Sequence, residues 1–119
     1  MVYQSGRIRE ALFEGQYGGY KFAIVNLGTH PTAYIKCKIH GCQGYDDDRL
    51  YNISVHGDFT YYGEPYWKED DGLKYLGWDY AHCGDYCGYM SPQSRGKRWT
   101  TKEIFEEVIS VIEQLQEVW

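Results

Sequence analysis

Two stretches concentrate side chains that can move protons: Val55-His56-Gly57-Asp58-Phe59-Thr60 and Trp78-Asp79-Tyr80-Ala81-His82-Cys83-Gly84-Asp85-Tyr86. A neutral imidazole takes or gives a proton near pH 7, and a neighbouring carboxylate fixes its tautomer. If His56, Asp58, Asp79, His82 and Asp85 converge, His56 and His82 could serve as acid and base while an internal hydroxyl attacks a phosphodiester. The same set could also ligate Zn, Mn or Fe. The plainer reading is structural: a histidine beside a glycine at a bend bonds to a nearby carbonyl or carboxylate and does nothing else. The sequence favours binding over catalysis at these residues, and no metal or cofactor is expected.

A second cluster, Ser94-Arg95-Gly96-Lys97-Arg98-Trp99-Thr100-Thr101, runs into the start of a helix. The first N–H groups of a helix and its dipole attract an anion. The forked donors of Arg95 and Arg98 match phosphate oxygens, and Lys97 adds a point charge. Cations at a helix start are slightly unfavourable for the helix itself, so a bound anion stands beside a solvated loop as a reading of the cluster. Trp99 stacks on a base or stays in the core.

The four cysteines are less informative. Cys37-x4-Cys42 encloses His40, and Cys83-x3-Cys87 follows His82, but structural zinc sites use tighter Cys-x2-Cys pairs. Thiols are the expectation, with Cys37 turned toward the core.

These residues need a scaffold. Ser5 is placed to cap a short helix from Gly6 to about Phe13, with Ile8, Ala11 and Leu12 on one face. A turn at Tyr17-Gly18-Gly19 precedes a strand from Tyr20 to Asn26. After a Gly28–Pro31 turn, Ala33 to Ile39 alternates apolar and polar residues as a half-buried strand does. Tyr51 to Val55 reads as a third strand, bent by Gly57 and continued through Tyr62, and Leu73 to Tyr80 as a fourth. Ala81 to Trp99 is a long Gly-rich loop. Thr100 and Glu103 form a capping box for a helix reaching about Val118. Phe105, Val108, Ile112, Leu115 and Trp119 form one apolar stripe of this helix, and Ile104, Val111 and Val118 a second. The expected fold is α+β: one domain over residues 1–119, a mostly antiparallel sheet of about four strands, a short N-terminal helix and a long amphipathic C-terminal helix. A second stripe exceeds what a small sheet needs to cover, which points to a homo-oligomer formed through that helix.

Composition narrows the function classes. The chain has 119 residues, 43% hydrophobic and 18% aromatic, with 13 tyrosines, enough for one core. Its formal charge of −5 argues against a nucleic acid polymer as partner, which requires a basic footprint. No apolar run is long enough for a membrane span, and MVYQSGRIRE has no signal-peptide stretch, so a cytoplasmic location is expected.

The segments His56-Gly57-Asp58-Phe59-Thr60-Tyr61, Leu76-Gly77-Trp78-Asp79-Tyr80-Ala81-His82-Cys83-Gly84-Asp85 and Trp99-Thr100-Thr101, with the helix ending Glu113-Gln114-Leu115, resemble a family of short uncharacterised phage and prophage proteins. That pattern is roughly HGGLTF, then IGFDCAHAGD, then YWT and a helix ending DQL. Gly19-Tyr20-Lys21 and His30-Pro31 also resemble its N-terminal half, so the likeness spans about residues 19 to 116. The chain departs at Asp58, where the pattern has Gly, and at Tyr80, where it often has Cys. The resemblance implies a phage anti-defence protein acting in the host bacterial cytoplasm, and by analogy a sponge that sequesters a nucleotide-derived immune signal. The base would lie among Tyr61, Trp78 and Trp99. Phosphates would meet Arg95, Lys97 and Arg98 beside Thr100, and His56, Asp79 and His82 would meet polar edges. Two alternatives stay open: a phosphodiesterase working through His56 and His82, and an inhibitor that presents Asp46 to Asp48 and Glu69 to Asp71 to a host protein.

Overall fold

The structure is a computed structural model and describes residues 10–26, 30–37, 44–65, 67–68, 72–80, 97 and 99–118. The described residues begin with a hairpin. Strand β1 (Glu10–Tyr17) returns as β2 (Tyr20–Asn26), with Tyr17 paired to Tyr20 across Gly18 and Gly19. Both glycines have positive φ, 56° and 86°, as the tightest hairpin turns require. The short N-terminal helix expected from Gly6 to Phe13 is therefore corrected where it is described: residues 10–13 belong to a strand. Its 3.6-residue spacing was weaker than the Gly-Gly turn, which supplies a pairing partner for whatever precedes it.

Strand β3 (Pro31–Lys36) adds to β2, and β5 (Tyr75–Asp79) pairs with β3. The short β4 (Tyr61–Gly63) closes the far edge against β5. The result is one antiparallel sheet of five strands in the order β1-β2-β3-β5-β4, one more than expected.

The third expected strand, Tyr51 to Tyr62, is corrected except at its end, where Tyr61 and Tyr62 lie in β4. Asp48–Leu50 is a 3-10 turn, and residues 51–56 lie outside the sheet. Tyr51 N and Ile53 N close local turns on Asp48 O and Leu50 O, and the backbone of Ser54 and His56 bonds to the C-terminal helix α1 (Thr101–Val118). Gln114 accepts from Ser54 N at 2.6 Å and donates to Ser54 O at 2.9 Å, while Glu107 accepts from His56 N at 2.7 Å. Glu107 and Gln114 are seven residues apart, two turns on one helix face, so they grip this extended segment in place of a neighbouring strand.

The capping box forms as the sequence implies. Thr100 Oγ1 accepts from Glu103 N at 3.1 Å, and Thr100 N donates to Glu103 Oε1 at 3.0 Å. The other end of the helix holds the hairpin, with Tyr17 donating to Glu113 at 2.8 Å and Gln116 to Gly18 O at 3.2 Å.

Both faces of the sheet are covered. On one, Phe22, Ile24, Ala33, Ile35, Leu76, Trp78 and Tyr80 meet Ile104, Val108, Val111, Ile112 and Leu115, with Leu50, Ile53 and Phe59 closing the core. Cys37 packs against this core, half-buried. The two helix stripes thus merge into one wide face: Ile104 and Val111 are as fully buried within the chain as Val108 and Ile112. On the other face, Ala23, Val25, Tyr34 and Tyr75 lie under Tyr61, Trp67 and Leu73. Tyr34, expected on the solvated side of a half-buried strand, is buried there. No helix among the described residues is long and apolar enough to cross a membrane.

Candidate functional site

Strand alternation decides which candidate residues meet. Along β5, Leu76 and Trp78 enter the helix-side core while Tyr75 joins the opposite face. Tyr80, one residue beyond the strand, continues on the helix side. Its phenol O–H donates to Glu107 Oε1, and its oxygen accepts from Trp78 Nε1 at 3.0 Å. The second Glu107 oxygen accepts from His56 N. One carboxylate therefore ties together the helix, the end of β5 and the turn that carries His56.

That turn runs from Val55 to Asp58 and is closed by Asp58 N donating to Val55 O at 3.3 Å. Gly57 takes φ of 66°, the left-handed geometry suited to glycine at the third position of such a turn. Asp58 follows at φ of 68°.

The turn lays the His56 ring flat on Tyr80, with centroids 4.6 Å apart and planes 14° from parallel. Trp99 meets His56 edge-on at 5.0 Å and lies tilted by 49° against Tyr80 at 5.1 Å. Lys97 Nζ lies 4.0 Å from the centroid of the Trp99 ring and 2.9 Å from Glu103 Oε2. The Glu103 carboxyl is held below the usual carboxylate range, first by the Thr100 N–H and then by Lys97. The corner is thus three stacked or edge-packed rings beside the first turn of α1. An ammonium covers one ring, and a carboxylate already occupies the helix start.

Of the residues proposed from sequence, His56, Lys97, Trp99 and Thr100 converge here. Trp78 supports the corner from beneath but is only 1% exposed, so its ring offers no stacking surface. Tyr61 and Asp79 do not join them. Tyr61 packs on the opposite face, edge-on to Tyr34 at 5.3 Å, and Asp79 pairs in register with Thr32 on that same face and accepts from Thr60 Oγ1 at 3.3 Å. Tyr61 therefore lies across the sheet from Trp78 and Trp99. His82, Arg95 and Arg98 lie outside the described residues, as do Cys42, Cys83, Cys87, Asp85 and Glu69 to Asp71.

Two residues of the corner were missed. Glu107 is three residues from Ile104 and four from Val111, inside the apolar stripe, and a carboxylate in that position needs a partner. Tyr80, not among the candidate site residues, is the ring on which His56 rests.

Elsewhere, Asp47 is taken up by Arg49, with contacts of 2.8 to 3.0 Å. Asp46, Asp48 and Asp58, with the exposed Tyr45 and Tyr51, rim a groove of about 330 Å³. Among the described residues, no group of three or more His, Cys, Asp or Glu side chains is arranged to hold a metal. No protein-family model, curated protein or solved structure matches the chain.

Proposed function

We propose that this chain is a binding module that sequesters a small, flat, anionic ligand of the nucleotide-derived class at the corner where His56 and Trp99 pack on the buried Tyr80 beside Lys97. The observation that carries this reading is the cation over an aromatic face, Lys97 at 4.0 Å from the Trp99 ring, at the start of an 18-residue helix. A ligand base that replaces Lys97 over Trp99 gains stacking, which is worth about 1–3 kcal/mol per base. The freed ammonium then pairs with the ligand's phosphate. The cost is the Lys97–Glu103 contact, an exposed pair worth at most about 1 kcal/mol. The exchange is favourable only for a ligand that has both a ring and a negative charge.

Sequestration fits better than turnover. His56 is stacked on Tyr80 and its backbone is fixed by Glu107, an arrangement that holds the ring as a wall of the corner. The resemblance to phage and prophage proteins supports a ligand drawn from the nucleotide signals of bacterial immunity. The reading needs only one copy of the chain.

The test is depletion and release. Protein is incubated with cyclic dinucleotides, cyclic oligonucleotides and ADP-ribose isomers, the filtrate is chromatographed, and the protein is then heated to release its ligand. A compound that disappears and returns intact supports the proposal, and Lys97→Ala with Trp99→Ala should abolish its depletion. A compound that returns as a new product would establish catalysis. If every candidate stays in the filtrate, the proposal fails and an inhibitor of a host protein becomes the better reading.

A further inference from the structure

The opposite face of the sheet carries a second feature of chemical interest. A groove of about 420 Å³ opens there between Glu14, Gln16 and Lys21 on the β1–β2 side and Trp67, Lys68 and Tyr75 on the other. Its depth follows from the sequence: Ala23, opposite Glu14 in the hairpin register, puts only a methyl group where its neighbours carry long side chains. Gln16 and Lys21 are direct cross-strand partners, so their heads share one rim. The far wall is fixed by rings. Trp67 stacks on Tyr34 at 4.4 Å and 24° and meets Tyr75 edge-on at 5.2 Å, and Lys68 Nζ lies 5.6 Å from the Tyr75 centroid.

The lining mixes chemistries in a restrictive way. Two ammonium groups, Lys21 and Lys68, rim the groove on opposite sides and call for an anion, although the chain as a whole carries −5. Glu14 can only accept hydrogen bonds, and Gln16 both donates and accepts, so this rim calls for ligand N–H groups. The aromatic wall calls for a flat body. An inorganic anion would leave Glu14 and the rings unused, and an uncharged ring would leave the lysines unused. We infer that this groove is a second ligand site, distinct from the corner on the helix side, which takes a nucleoside monophosphate whose base presents ring and exocyclic N–H donors. The phosphate lies between Lys21 and Lys68, the base edge faces Glu14 and Gln16, and the ring runs along Trp67.

The probe is guanosine 5′-monophosphate, titrated into isotopically labelled protein and followed by amide NMR, with guanosine and inorganic phosphate as separate arms. Saturable shifts are expected at residues 14–16, 21–23 and 67–68, with the nucleotide binding more tightly than either fragment. Lys21→Ala combined with Lys68→Ala removes two exposed side chains, so the fold is retained, and should weaken nucleotide binding about tenfold or more. Glu14→Ala should weaken the nucleotide and leave phosphate unaffected. The inference is overturned if the groove amides stay unmoved, if phosphate alone binds as tightly as the nucleotide, or if the double lysine variant binds as the parent does. The corner is tested separately through Lys97→Ala, so either site can fail without the other.

Discussion

Replacing Glu107 with alanine tests whether one carboxylate holds the corner together. The substitution removes the acceptor of the Tyr80 phenol and of the His56 N–H. Tyr80 is fully buried, so its O–H cannot turn to water, and an unsatisfied buried donor costs about 1–3 kcal/mol. The half-buried His56 N–H can be partly rehydrated and adds about 0.5–1 kcal/mol. Alanine returns a few tenths through its better helix propensity. The expected net loss is about 1.5–3.5 kcal/mol, a large share of the roughly 5–15 kcal/mol typical of a domain. Urea unfolding followed by tryptophan fluorescence reads this directly, as a midpoint lowered by about 1 M or more with an unchanged slope. Glu107→Gln keeps one acceptor oxygen and should fall between the two. Glu106→Ala, at an exposed neighbouring position, should stay within about 0.5 kcal/mol of the parent. If Glu107→Ala unfolds at the same midpoint as Glu106→Ala, the carboxylate does not organise the corner and the reasoning fails.

Three further outcomes follow from local geometry. A Cβ on Gly77 would stand 2.5 Å from Cε1 of Tyr34, a ring packed against both Tyr61 and Trp67, so Gly77→Ala should lower stability by about 1–3 kcal/mol in a thermal melt. Asp58 has φ of 68°, so Asp58→Gly should raise the melting temperature, by up to about 1 kcal/mol of stability, and Asp58→Val should lower it. The Glu103 carboxyl titrates below its ordinary 4.5 when folded, so its contribution is complete above about pH 4.5 and is lost as pH falls through the folded value. Urea midpoints measured at pH 7, 5 and 3 should therefore fall less steeply below pH 4.5 in Glu103→Gln than in the parent.

Elements with a strong local signal were legible in the sequence. The final helix was placed within a residue because Thr100 and Glu103 carry its start and its apolar spacing is unbroken. The strand from Tyr20 to Asn26 matched β2 for the same kind of reason, an apolar run bounded by turn residues. The errors came where pairing across the chain outweighed local pattern. Residues 10–13 have spacing compatible with a helix, yet the glycine turn behind them folds them onto β2. Residues 51–56 have strand composition, but Tyr51 N and Ile53 N close local turns, and Gln114 and Glu107 hold the backbone of Ser54 and His56 from a helix fifty to sixty residues away. Nothing local distinguishes a segment bonded to a ladder from one bonded to two helix side chains.

The candidate site was legible for a related reason, and only in part. His56, Lys97, Trp99 and Thr100 were found by residue type, which sequence shows plainly. Tyr61 and Asp79 were grouped with them by type as well, but a strand sends alternate side chains to opposite faces. With Trp78 in the helix-side core, Asp79 had to leave it. Strand parity therefore separates residues that composition joins, and the same rule gathers Lys21, Ala23 and Tyr75 around the groove on the far face. The wide helix face bears on the oligomer question in the same way. Two stripes suggested a spare surface, but the sheet, with loop residues Leu50, Ile53 and Phe59 at its margin, buries Ile104 and Val111 of the second stripe along with Val108, Ile112 and Leu115 of the first, and leaves Val118 exposed. The corner and the groove each carry exposed lysines, Lys97 on the helix side and Lys21 with Lys68 on the far face, so each can be tested by substitutions that leave the core untouched.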